Sequence, residues 1–302
     1  MKTESSGDYP LADMSAHQSF KDSSIIITGL TRNGGKVIRR EILNLTNAFS
    51  GFKEVAFFIV ESDSTDNTLE ILEEISTEIP NFAYTSLGQL ENQLPNRIDR
   101  IAFCREYARK SISEKQNTFD YVCVADLDGV NSLLTKSAVE SCWQRDDWDV
   151  VTANQSGPYY DIYALRVEGW CPENSWALQE QMVKRGIHPM KARQLAVYSK
   201  QRRISADEPW ISVHSAFGGL AIYLWDCFKL ASYSGRDELS NVVCEHVVLN
   251  LKLEQEGKRI YINPKLINSR GNDISRLDKR LKHLAKYTLS WLSPSLFLRW
   301  IG

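Results

Sequence analysis

No stretch of this 302-residue chain approaches the roughly 18 to 20 uninterrupted apolar residues that a membrane-spanning helix needs. Its first 22 residues are polar, where a secretory leader would carry a charged tip and an apolar core. Neither a transmembrane anchor nor a signal peptide is therefore expected. One-sided charge is missing as well: 36 basic residues face 38 acidic ones, for a formal charge of −2. A protein that coats nucleic acid carries a strong basic excess, so no nucleic-acid partner is expected. The six cysteines (Cys104, Cys123, Cys142, Cys171, Cys227 and Cys244) are dispersed, with no C-x-x-C pair. This spacing argues against a disulfide framework and against structural zinc, and it suits reduced thiols in a cytoplasmic compartment.

What is present is the composition of an ordinary globular chain, 43% hydrophobic and 25% charged, enough for one large α/β domain or two small ones. Residues 1–22 show no sustained period and read as a flexible N-terminal arm. From Ser24 onward, apolar runs of strand length alternate with helical periods. Residues 25–27, 55–60, 82–85, 121–125 and 148–153 read as strands, and 36–49, 66–78, 97–112 and 133–145 as helices. Such alternation predicts an α/β fold with a mostly parallel central sheet, helices on both faces and right-handed crossovers. Ligands in such sheets gather at the C-terminal strand ends. Beyond residue 155 the alternation loosens: 159–166 reads as a strand, 174–203 as helical material and 217–223 as a strand. The expected organisation is the arm over 1–22, one domain over 23–270 and a tail over 271–302.

Three segments carry candidate chemistry. Glu61-Ser62-Asp63-Ser64-Thr65-Asp66-Asn67-Thr68 follows a hydrophobic strand and opens a helix. Its Ser and Asp residues can simply cap that helix; equally, Glu61 and Asp63 can hydrogen-bond the base or ribose of a nucleotide. Asp126 and Asp128 end a buried strand, and residues two apart in an extended chain point the same way. They can therefore share one ligand, such as a divalent cation that also holds phosphate oxygens, or they can be two solvated aspartates in a loop. The third segment, residues 243–264, reads as a helix with Glu245 and His246 in its first turn, Gly257 at its end, and a short strand closed by Pro264. Helix capping by Glu245 and plain packing of His246 are the alternatives there.

In this order the three segments resemble the nucleotide-sugar glycosyltransferases of the GT-A (Rossmann-like) fold. That superfamily carries a D-x-S-x-D-x-T turn, here with Glu61 in the leading place, a D-x-D pair, and an E-D pair on a helix, here with His246 where Asp is usual. Within it, the segments 97–105 and 159–166 look like the capsule-associated α-1,3-mannosyltransferase family. The resemblance spans roughly residues 24–265 and follows the βα alternation.

The resemblance implies a metal-dependent transfer of a sugar from a nucleotide-diphosphate donor, GDP-mannose or a UDP-sugar, to a glycan or lipid-linked acceptor of a surface polysaccharide. Mn²⁺ or Mg²⁺ would be held by Asp128, with Asp126 on the ribose or a metal-bound water and His246 completing the shell. Arg100 and Arg105 would reach the phosphates, and Thr28, Gly29 and Arg32 would line the base. Gly218 and Gly219 would let the main chain approach the sugar, with Trp210 and His214 stacking on or bonding to it. Glu245 would be a general base in an inverting enzyme; the mannosyltransferase likeness suggests retention, with Glu245 orienting substrate. Two other readings stand beside this one. A nucleotidyltransferase would need a Gly-rich, Lys-containing loop, of which Thr31-Arg32-Asn33-Gly34-Gly35-Lys36 is a faint version. A non-catalytic scaffold of the same fold would have no need of the D-x-D pair.

The tail has apolar residues at helical spacing (Ile274, Leu277, Leu281, Leu284, Trp291) among Arg276, Lys279, Arg280, Lys282 and Lys286. This is the pattern of a basic amphipathic helix at an anionic membrane surface, and equally of a helix docked on its own domain. The expected location is cytoplasmic, with peripheral contact at the cytoplasmic membrane face.

Overall fold

The computed structural model describes residues 17, 19–114 and 118–271. The expected C-terminal amphipathic helix lies outside the described residues, as does most of the N-terminal arm. Eight strands form one sheet: β1 (Ser24–Thr31), β2 (Glu54–Glu61), β3 (Phe82–Ser86), β4 (Tyr121–Asp126), β5 (Val150–Gln155), β6 (Ile211–Ser212), β7 (Leu220–Leu224) and β8 (Ile260–Ser269), in the order β3-β2-β1-β4-β7-β5-β8-β6. The helices are α1 (Ile38–Ala48), α2 (Thr68–Glu78), α3 (Arg97–Ser113), α4 (Lys136–Glu140), α5 (Ser175–Lys184), α6 (Pro189–Ala196), α7 (Trp225–Lys229) and α8 (Glu245–Gln255).

Strands β3, β2, β1 and β4 are mutually parallel. Their apolar runs are nearly unbroken because both faces are covered. Ile25, Ile27, Phe57, Ile59 and Cys123 pack on one side with Ile42 of α1 and Leu72 of α2. Ile26, Phe58, Val60, Val122 and Val124 pack on the other with Cys104 and Ala108 of α3 and Val247 of α8. The alternation of Cβ directions along each strand sorts one apolar run into these two layers.

The rest of the sheet departs from the expected parallel pattern. β7 runs antiparallel between β4 and β5, β5 pairs parallel with β8, and β6 closes the edge antiparallel to β8. Residues 159–166 are not a strand. They form turns tied to the fold by isolated bridges from Pro158 to Arg203 and from Arg166 to Ser215. The apolar side chains that suggested a strand, among them Ile162, Ala164 and Leu165, are buried in a turn. β7 begins only at Leu220 because Gly218 and Gly219 sit at positive φ (68° and 88°), a conformation that glycine alone adopts without strain. β8 does not stop at Pro264. It continues to Ser269 through register shifts against β5, where a missing N–H does little harm.

Candidate active site

Register sets the site. Leu30 of β1 lies beside Asp126 of β4, and Thr31 beside Glu61 of β2, so the parallel strands finish together at one edge. A cavity of about 350 Å³ opens there, walled by Thr31, Arg32, Asp63, Arg97, Asp126 and Asp128, with Arg100 and Arg105 behind. A second cavity of about 200 Å³ adjoins it, sharing Arg97, Arg105 and Asp126 and continuing to Asp161, Glu245 and His246.

Arg105 sits at the junction. It is 6% exposed, donates from Nη2 to Asp126 Oδ1 (2.8 Å) and from Nε to Glu245 Oε1 (3.0 Å), and stands over the Phe217 ring. Burial works against its charge, but Asp126 and Glu245 outweigh burial and hold the guanidinium firmly protonated. Asp126 titrates at about 7, pushed up first by desolvation and then by Asp128, Asp161 and Glu245, with Arg105 pulling the other way. Arg105 thus faces three carboxylates, those of Asp126, Glu245 and Asp161. Asp126 keeps 35% of its side-chain surface open, so its carboxylate is reachable despite the protein packed around it.

The two aspartates differ. Asp126 has Oδ1 committed to Arg105, and its backbone N–H and C=O are held by Gly219 O (2.9 Å) and Asn131 Nδ2 (2.7 Å). Asp128 is exposed at the cavity mouth, with no hydrogen bond among the described residues. Oxygens of this kind suit a hard divalent cation that takes one or two carboxylates and completes its shell from water and phosphate. The protein groups fit that partial role and no more. Among the described residues no three His, Cys, Asp or Glu side chains come together as a metal cage, so the expected Asp126–Asp128–His246 set does not close by itself. His246 is buried, stacked on Phe217 at 3.7 Å, with neither ring nitrogen hydrogen-bonded. Burial first and Arg105 second hold it neutral.

Several expected ligand contacts fall elsewhere. Glu61 is 1% exposed and turned from the cavity wall: it accepts from Ser64 N (2.8 Å) and from the Ser86 hydroxyl, fixing the turn after β2. Asp63, at φ 59°, does line the cavity; its Oδ1 accepts Glu91 N (2.8 Å) while the buried Oδ2 has no hydrogen bond. Thr28 and Gly29 lie one step too early on β1 and face a slot of about 10 Å³, whereas Leu30, Thr31 and Arg32 reach the cavity. A Cβ on Gly29 would stand 2.5 Å from Ala125 O, so strand packing explains this glycine. Arg32 lines the cavity but is paired with Glu91 (2.7 Å). Arg100 donates to Leu94 O and Pro95 O, holding the loop before α3 rather than pointing freely at a ligand.

Gly218 and Gly219 are not in the wall of either cavity. Gly218 N donates to Asp161 Oδ2 (3.0 Å), and a Cβ on Gly219 would stand 2.9 Å from the Tyr160 hydroxyl. Trp210 packs edge-on to Tyr261 with Arg145 nearby, and His214 pairs with Glu254; neither lines the cavities. The Gly34-Gly35 loop is no phosphate cradle, because Asn33 N and Gly35 N donate to Ser64 and Asp66 of the neighbouring turn. The residues missed from sequence are Arg97, exposed at the junction of the cavities with no ion pair among the described residues, and Asp161 with Tyr163 and Trp176 beside the second cavity. Arg97 opens α3, whose first turn is capped by Asn96, and a basic side chain next to an N-cap asparagine was the available signal.

No family model matches the chain, and none of the curated proteins matches it. Similar solved structures are found. The mannosyltransferase PcManGT from Pyrobaculum calidifontis, in complex with GDP-Man and Mn²⁺, aligns over 94% of this chain and 67% of its own with 14% identity and a TM-score of 0.51. S. aureus TarS 1-349 in complex with UDP-GlcNAc aligns over 79% of this chain with 16% identity and a TM-score of 0.44. The chain spans 55% of that TarS structure. The arrangement of sheet and helices is consistent with a GT-A-like fold, and at 14% identity the likeness to PcManGT is one of fold alone.

Proposed function

We propose that the chain is a glycosyltransferase that uses a divalent cation to move a sugar from a nucleoside-diphosphate donor to a glycan or lipid-linked acceptor. The observation that carries this reading is the placement of Asp126 and Asp128 together on the wall of the 350 Å³ cavity, one anchored and one free. Two carboxylates repel a diphosphate, and a cation between them turns that repulsion into attraction. Mn²⁺ or Mg²⁺ held by the two aspartates would supply that charge and stabilise the departing diphosphate.

The residues divide the remaining work. Asp63 and Arg32 flank the nucleoside end of the cavity, and Arg97 faces the phosphates, where its fork can bond non-bridging oxygens. Arg105 holds Asp126 and Glu245 at fixed separation, so that the donor cavity and the cavity beside it keep one geometry. Glu245, already bonded to Arg105, orients the acceptor side rather than abstracting a proton, which favours retention. Tyr163, Trp176 and Asp161 offer ring faces and a carboxylate to a sugar. The fold shared with a mannosyltransferase solved with GDP-Man and Mn²⁺ supports GDP-mannose as the first donor to try.

The test is release of nucleoside diphosphate from GDP-mannose and from UDP-N-acetylglucosamine, each with Mn²⁺, with and without glycan acceptors. Release from one donor that stops with EDTA and with Asp128→Ala is expected. Unchanged release in Asp128→Ala would remove this site from the chemistry.

A further inference from the structure

A cavity of about 620 Å³ lies along a different face of α8 from Glu245 and His246. Its floor includes Arg166, which is 6% exposed. The Arg166 Nη1 donates to Leu165 O (2.6 Å) and Tyr163 O (3.2 Å), while Nη2 has no hydrogen-bond partner. Among the described residues no carboxylate lies within ion-pairing distance of it, and burial pulls its pKa below the usual arginine value. Buried charges in folded proteins are normally paired. This one has no direct ion pair, only Asp161 acting from a distance, and its Nη2 is unbonded in the wall of an open cavity.

Around Arg166 the wall is of two kinds. Val247 is buried, Val248 and Leu251 are partly exposed on the same helical face, and Leu239 stands 83% exposed at the rim. Lys252 is exposed at the rim with no ion pair among the described residues. The other rim charges are spoken for or opposed: Arg236 is bound to Asp99, Asp237 is tied into its own turn through Asn241, and Glu238 faces solvent. Two cations call for an oxyanion with more than one charge, as a phosphomonoester has. The valine and leucine side chains call for hydrocarbon next to it.

We propose that this cavity is a binding site for an amphiphilic phosphate, with the phosphate at Arg166 and Lys252 and a hydrocarbon chain along Val247, Val248 and Leu251. Its link to the transferase reading rests on sequence position. Arg166 belongs to the same turn segment as Asp161, and Val243 at the cavity precedes Cys244 in the wall of the acceptor-side cavity.

The probes are n-decyl phosphate below its critical micelle concentration, decanol and inorganic phosphate, titrated into the full chain by calorimetry. Decyl phosphate is expected to bind at least about tenfold more tightly than either fragment, and Arg166→Gln to weaken it about tenfold. Because Arg166→Gln removes a buried group and can disturb folding, Lys252→Glu at the exposed rim is the second variant, with a loss of about threefold or more. Equal binding of inorganic phosphate would overturn the amphiphile assignment in favour of a free-phosphate site. Decyl phosphate binding that is unchanged in both variants, or that UDP or GDP with Mn²⁺ displaces competitively, would overturn the site altogether. Nucleotide binding is measured separately, so a failed donor site and a failed phosphate site give different results.

Discussion

In β1, β2 and β4 the strand interiors are apolar but for Thr28, and polar side chains gather at and just past the last residues, whereas β5 and β8 carry Thr152, Asn154, Gln155, Asn263 and Asn268 fully buried within the sheet. The interior amides are spent on the protein itself. Asn154 Nδ2 donates to Ile204 O and Pro264 O, Gln155 Nε2 to Gly218 O, and Asn268 Nδ2 to Gly218 O and Asn131 Oδ1. These bonds satisfy the backbone where the β5–β8 register shifts. They end at the site, because Asn131 also holds the Asp126 carbonyl. One half of the sheet presents polar groups to a ligand, and the other half uses them to fix the backbone from which the first half presents them.

The sharpest way to break the ligand-facing half is at Arg105, which ties Asp126 of β4 to Glu245 of α8. Arg105→Met strands Asp126 and Glu245 without their partner. We expect a loss of about 3 to 5 kcal/mol in urea unfolding together with loss of nucleotide binding. A variant of full stability would mean that the two carboxylates do not depend on it.

Asp128 isolates the ligand-facing half. Asp128→Asn should change stability by no more than about 0.5 kcal/mol, since an exposed group with no bond is lost. It should also weaken metal-dependent nucleotide binding about 100-fold, the size expected when a charged metal ligand is neutralised. Asn268 isolates the other half. Asn268→Ala takes the donor from Asn131 Oδ1 and leaves Gly218 O with Gln155 Nε2 alone, at a cost of about 1 to 3 kcal/mol. Nucleotide affinity should fall only severalfold, and a 100-fold fall without loss of stability would collapse the distinction.

A further effect is in pH. Asp126 is held at about 7 against a usual carboxylate value near 3.8, so between those values the folded state binds more protons than the unfolded one. Its contribution to the stability of the metal-free protein therefore declines as pH rises from about 4 to 7. Metal-dependent nucleotide affinity runs the opposite way, weakening as pH falls below 7 and the carboxylate protonates. Asp126→Asn should flatten both trends in paired thermal and calorimetric series.

The same contrast explains what was legible in the sequence. Runs such as 25–27, 55–60 and 121–125 announced their strands because both faces are apolar, and the D-x-D pair stood out at the end of one of them. The buried amides of β5 and β8 look like loop residues, so β8 was cut at Pro264, and the buried turn at 159–166 imitated a strand. Asp63, Arg105, Asp126 and Asp128 could be singled out because short-range spacing placed them at strand ends or on one helix, and all four line the cavity. Trp210 and His214 were misplaced, and Arg97 and Asp161 missed, because their positions depend on contacts between segments far apart in sequence, which no local pattern encodes.

The most direct measurement is calorimetric titration of UDP, GDP and CMP into the wild-type protein and Asp128→Asn, each with Mn²⁺ and again with EDTA. The account predicts that one nucleotide binds the wild type with Mn²⁺, that EDTA abolishes the binding, and that Asp128→Asn loses most of it while remaining folded. Binding that is indifferent to both EDTA and Asp128, or no binding of any of the three, would contradict it.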